Sequence, residues 1–163
     1  MIVSNIEIRP SRFGAPVAQK LVAEAQEEIT QRYGSPDENP MESVQFDPPE
    51  GVFLIAWLDG EPVGCGGWRT LSHFDEDSGL TEDVAEIKRV YVTPKARDRG
   101  GATALLKALE DSARESGKRR VVLETGLAQP EAIAFYTKMG YERIPNYGYY
   151  KDAPDCVSFG RDL

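Results

Sequence analysis

Ala85-Glu86-Ile87-Lys88-Arg89-Val90-Tyr91-Val92-Thr93-Pro94-Lys95-Ala96-Arg97-Asp98-Arg99-Gly100-Gly101-Ala102 reads as a strand, a basic turn, paired glycines and the start of a helix. The first turn of a helix offers unpaired N–H donors and a partial positive charge, so it takes phosphate readily. Gly100 and Gly101 lack a Cβ and would let a pyrophosphate approach the backbone closely. Arg97 and Arg99 add donors that phosphate bridges. Lys88, Arg89, Lys95, Arg97 and Arg99 crowd twelve residues of an otherwise acidic chain, and read as cations gathered around that helix start. No Gly-Lys-Ser/Thr follows, so this is not a Walker loop, nor does it fit G-x-G-x-x-G. A glycine-capped helix with solvated charges is the plainer alternative.

The helix that follows, Gly100 to Ser116, puts Leu105, Leu106, Leu109 and Ala113 on one face and ends at Gly117. Glu110 and Arg114 are expected to pair on its outer face. Downstream come a short strand, Val121 to Glu124, and a second helix opened by Pro130 and closed by Gly140. Two short strands around a Tyr-rich loop are expected in the tail. Upstream, Asn5 to Arg9 alternates as a strand, and Val17, Leu21, Val22, Ala25 and Ile29 recur at helical spacing between Ala15 and Arg32. A proline-punctuated, irregular or partly helical stretch leads to Val52–Leu58, apolar throughout, as a strand covered on both faces would be. Asp59-Gly60 is a hairpin signal, with Pro62 to Arg69 as the returning strand. Gly64, Gly66 and Gly67 in that strand point to a bulge or a close neighbour.

At 163 residues, a single domain spanning 1–163 is expected. The net charge of −8 argues against general nucleic-acid or anionic-membrane binding. A single histidine, His73, excludes multi-histidine metal sites, and Cys65 and Cys156 form no CxxC pair, so no metal is expected. Val52–Leu58 is too short to span a bilayer, and Met1 to Arg12 mixes charge too early for a signal peptide. A cytoplasmic protein is expected, and a homodimer stays open.

Arg97-Asp98-Arg99-Gly100-Gly101-Ala102 resembles the Arg/Gln-x-x-Gly-x-Gly/Ala pyrophosphate signature of the GNAT family of N-acetyltransferases. Pro130 to Tyr141 resembles that family's second signature, an Ala-Ile-x-x-Tyr helix ending in Gly-Phe/Tyr, and both occur in family order. The resemblance covers most of the chain. It implies a mixed α/β (α+β) fold: a mostly antiparallel sheet of about six or seven strands, splayed at the cofactor strand and flanked by helices. It also implies acetyl-CoA as acyl donor and an amine as acceptor. Arg97, Asp98, Arg99, Gly100, Gly101, Ala102 and Thr103 would hold the pyrophosphate, and Val90, Tyr91 and Val92 would pair with pantetheine and supply an oxyanion N–H. Gln129, seven residues before Tyr136, stands where the family often has Asn to hold the pantetheine arm.

The resemblance also implies the chemistry. A primary amine has a pKa of about 10.4, so a base must take its proton at neutral pH. Tyr136 matches the tyrosine that protonates the departing thiolate. Glu86 and Glu124 both resemble glutamates that serve as base in different branches, and Glu86 is the favoured one, a structural ion-pair role being the alternative for either. His73 is a lesser candidate, and Cys65, between glycines, is not expected to act as a nucleophile. From Glu24 to Glu50 there are eight acids and one base, and from Ser72 to Ile87 six acids and no base. Walls of that sign would concentrate a cationic amine, with Tyr147, Tyr149 and Tyr150 flanking the groove. Two other readings remain: a non-catalytic acetyl-CoA sensor or partner-binding module, and a transferase for another acyl-CoA.

Overall fold

The computed structural model describes residues 5–71 and 80–163. The strand Ile6–Ser11 (β1) leads to the helix Pro16–Tyr33 (α1), and a 3-10 turn at Ser43–Phe46 is the one helical piece of the proline-rich stretch. Gly51–Leu58 (β2), Glu61–Thr70 (β3) and Val84–Val92 (β4) follow. Then come Gly101–Glu115 (α2), Arg120–Gly126 (β5), Pro130–Lys138 (α3), Glu142–Ile144 (β6) and Cys156–Asp162 (β7). The sheet order is β1-β2-β3-β4-β5-β7-β6. Every neighbouring pair is antiparallel except β4 and β5, which run parallel with α2 as their crossover.

β2 is apolar throughout because it is covered twice. Val52, Leu54 and Ala56 join the core beneath α2, with Trp68, Leu105, Leu106 and Leu109. Phe53 and Ile55 face the opposite layer, with Ala18, Leu21 and Val22 of α1 and Phe46 of the 3-10 turn. Asp59 and Gly60 both take positive φ, the backbone that a two-residue hairpin turn requires. A Cβ at Gly67 would sit 2.7 Å from the Val52 carbonyl oxygen and 2.8 Å from the Phe46 ring, so a close neighbour is what that glycine serves.

Glu110 departs from the sequence expectation. It lies on the inner side of α2, 7% exposed, where Tyr141 donates to it at 2.7 Å and Arg161 at 3.0 Å. Arg114 instead pairs with Asp111. The pairing with Arg114 fails because Tyr141 and β7, distant in sequence, offer a buried carboxylate better partners than solvent does. Glu110→Ala should therefore lower unfolding stability by about 1–3 kcal/mol, since it strands a buried hydroxyl. Urea denaturation with an unchanged m-value checks this.

Two irregularities of β4 create the space for a site. Its pairing with β5 covers only Val84, Ala85 and Glu86, after which the parallel strands part. Its register against β3 also jumps, from Cys65↔Tyr91 to Gly67↔Lys88, so that Arg89 and Val90 bulge opposite Gly66. Arg89 takes φ 58° there. Among the described residues, no helix is long and apolar enough to cross a membrane.

Candidate active site

The parted strands open a cleft of about 680 Å³, bounded by α1, the turn before α2, and α3. One wall is the start of α2. Gly100 caps the helix with φ 84°, which favours glycine, and its carbonyl accepts the first helical hydrogen bond from Ala104. Gly101, Ala102 and Thr103 precede that donor and line the cleft, so their amides supply the unpaired N–H groups of a helix start. A Cβ at Gly100 would meet no atom within 4 Å, and one at Gly101 only ordinary contacts of 3.6 Å and longer. Gly100 thus leaves open space beside the helix-start donors, and these residues fit an anionic group.

Of the five basic residues that sequence reasoning gathered around this helix start, only Arg97 serves it. Its Nε donates to the Val92 carbonyl and its Nη2 to Glu28 of α1 at 2.6 Å. Arg99 is exposed and does not line the cleft, while Lys95 pairs with Glu61. Lys88 and Arg89 precede the turn on β4 and are drawn instead to carboxylates across the opened sheet. Asp98, with φ 64°, lines the cleft beside Arg97.

Val90, Tyr91 and Val92 form a second wall. Because β5 leaves β4 after Glu86, these residues present an unpaired main-chain edge to the cleft, a template for an extended amide-bearing ligand. The Tyr91 phenol is pushed up to about 12, chiefly by burial and then by Glu24 and Glu28 beside it. Across the gap, Gln129 caps α3 and accepts hydrogen bonds from Tyr33 at 3.1 Å and Thr125 at 3.3 Å. Its carbonyl is thus spent on closing the end of α1 over β5. Arg32 reinforces this closure through Glu131 and the Ala128 carbonyl. Tyr136 is 6% exposed, packs against Tyr141 and Phe159, and reaches the cleft with its hydroxyl unpartnered among the described residues. Burial raises its pKa, so it stays protonated at neutral pH.

The two candidate carboxylates lie close together but differ in access. Glu86, 4% exposed, receives the Arg69 Nε at 2.9 Å, has Lys88 at 3.9 Å, and does not line the cleft. Glu124 lines the cleft. Its Oε1 accepts from the Lys88 ammonium at 3.0 Å and the Asn39 amide at 3.3 Å. Among the described residues its Oε2 has only the Cys156 thiol, at 3.9 Å. Burial raises the Glu124 pKa, with Lys88 opposing that rise. Asn39 also accepts from Arg69, and its own N–H donates to Asp37, so one buried network ties both glutamates to the segment after α1. Lys88, Arg69, Asn39 and Asp37 escaped sequence reasoning in this role. The period-two spacing of Glu86 and Lys88 was the one available hint, and nothing local marks Asn39.

Part of the acidic wall is spent internally, with Glu28 on Arg97 and Asp37 on Arg89. The tyrosines of the tail separate. Tyr147 is buried among Leu71, Val84 and Val122, Tyr149 is exposed, and Tyr150 lines the cleft while accepting from the Glu38 amide. Cys65 is fully buried, donates to the Arg89 carbonyl, and has its thiol pushed up to about 12, mainly by burial. His73 lies outside the described residues.

Residues 17–141 match the profile of the Acetyltransferase (GNAT) family. An IAA acetyltransferase of Azospirillum brasilense is 36% identical over 110 residues, covering 68% of this chain and 65% of that protein. The uncharacterized N-acetyltransferase YjgM of Escherichia coli is 33% identical over 99 residues, 61% of this chain and 56% of its own length. The chain thus spans less than two thirds of these relatives. A crystal structure of a putative acyl-CoA N-acyltransferase from Klebsiella pneumoniae superimposes with a TM-score of 0.76 at 28% identity, covering 98% of both chains. A GNAT acetyltransferase from Elizabethkingia anophelis with acetyl-CoA bound has the same fold, with a TM-score of 0.66 at 20% identity over 98% of this chain and 99% of that one.

Proposed function

The chain belongs to the acetyltransferase (GNAT) family, and we propose that it moves an acetyl group from acetyl-CoA to the primary amine of an acceptor, by direct attack. One observation carries this reading: the cleft lined by the helix start also contains a carboxylate oxygen held only weakly, by a thiol at 3.9 Å, and a tyrosine hydroxyl unpartnered among the described residues.

Each residue then has a task. The amides of Gly101, Ala102 and Thr103, with Arg97, bind the pyrophosphate, and Asp98 shapes the turn. The β4 edge at Val90–Val92 pairs with the pantetheine amides and directs an N–H at the acetyl oxygen, where negative charge develops. Glu124 is the base, alone or through one water. Lys88 and Asn39 fix its Oε1 and leave Oε2 to take the amine proton. This revises the preference for Glu86, which does not line the cleft; its carboxylate instead positions Arg69 and Lys88. Tyr136, kept protonated by burial, gives its proton to the departing thiolate. A base works only when unprotonated, so activity falls as pH drops through the Glu124 pKa, which burial raises above that of an ordinary carboxylate.

Calorimetry with CoA tests the binding half of this reading. Gly101→Glu puts bulk and negative charge against the helix start and should weaken CoA at least tenfold, about 1.4 kcal/mol. Unchanged affinity in a folded variant would remove the glycine turn from the site.

A further inference from the structure

Arg89 carries more hydrogen-bonding capacity than the fold uses. It sits at the β4 bulge with φ 58°, lines the cleft, and its side chain is only 10% exposed. Its Nη1 meets the Asp37 carboxylate at 3.0 Å, and its Nη2 reaches the Asp37 carbonyl at only 3.5 Å. Its Nε is buried with no partner among the described residues. The Nε–Nη2 side of a guanidinium is the planar fork that takes a carboxylate through two parallel hydrogen bonds. Here the Nε has no partner among the described residues and the Nη2 only a long one, although buried donors are ordinarily paired, and a turn of the side chain brings this edge to the cleft that Arg89 lines. Arg89 is also joined to the base: Asp37 accepts from the Asn39 amide at 2.9 Å, and Asn39 donates to Glu124.

Resting on the acetyl-transfer reading above, we propose that the acceptor is an amino acid whose amine faces Glu124 and whose carboxylate docks on the Nε–Nη2 edge of Arg89. The acceptor end of the cleft then carries both signs. Glu124 and the exposed Asp155 face the amine, and Arg89 faces the acid. A polyamine or other pure cation, the acceptor that the acidic composition implied, would meet Arg89 as a like charge and leave its fork unfilled. A small amino acid satisfies both.

Calorimetry on the CoA-saturated protein tests this, with free α-, β- and γ-amino acids each compared with its own carboxamide. A site built around a hydrogen-bonded group strongly rejects the analogue that lacks it. At least one acid should bind about tenfold or more tighter than its amide, which has lost the charge that the fork selects. Arg89→Lys keeps a cation for Asp37 but loses the fork, and should bring acid and amide to within about twofold while CoA affinity stays unchanged. Amides that bind as well as their acids throughout the wild-type panel would overturn the proposal, whether or not the variant folds. So would an acid preference that survives in Arg89→Lys. Acetyl transfer is read separately, as CoA release: a preference for acids without transfer supports the carboxylate site and removes the transferase reading, and transfer without the preference does the reverse.

Discussion

Glu124→Gln should lower kcat/KM by about 10²–10⁴-fold at neutral pH, the usual worth of a positioned base. The amide keeps the shape of the carboxylate but cannot accept a proton. Wild-type activity should fall on the acid side as Glu124 protonates, and the variant should lack that limb. Its rate should instead climb toward the amine pKa of about 10.4, because neutral amine then forms without help. Glu86→Gln should act differently. Its carboxylate holds Arg69 at 2.9 Å and does not line the cleft, so its loss should show first in melting temperature, with the pH profile keeping its shape. A pH-rescued loss in Glu86→Gln and none in Glu124→Gln would reverse the assignment.

Tyr136→Phe should reduce kcat by more than about tenfold and leave CoA affinity nearly unchanged, because in the proposed reaction the hydroxyl acts late, on the departing thiolate. Stability should hardly move. The hydroxyl has no protein partner among the described residues, so removing it strands no group, and the ring keeps its packing on Tyr141 and Phe159. Slow product release would hide the effect in steady state, so single-turnover rates are the proper readout. A wild-type single-turnover rate would take Tyr136 out of the mechanism.

Much of this architecture was legible in the sequence because its signals are local. The Asp59-Gly60 turn, the doubly covered β2, the glycine cap of α2 and the Pro130 start of α3 each depend on a few neighbouring residues. The bulge, announced by Gly64, Gly66 and Gly67, was legible for the same reason. What stayed hidden depends on distance. Glu110 looked like a surface residue until Tyr141 and Arg161 closed over it. Lys88 and Arg89 looked like part of the basic cluster around the helix start because they precede the glycine turn in the chain. The splay of β4 from β5 faces them instead toward Glu124 and toward Asp37 on the segment after α1. Glu86 and Glu124 were interchangeable as letters at strand positions. Only the point at which β4 and β5 cease pairing, after Glu86 and Val122, leaves one of them on the cleft and the other behind it.

Acetyl transfer in the cleft between β4 and β5 can be read directly as turnover. The most direct measurement incubates the purified protein with acetyl-CoA and a panel of primary amines, follows free CoA, and identifies the product by mass. CoA release should keep step with the appearance of one acetylated amine, and Glu124→Gln should abolish both at neutral pH. CoA binding with no amine acetylated across the panel would contradict acetyl transfer, and transfer undiminished in Glu124→Gln would contradict the role of that carboxylate.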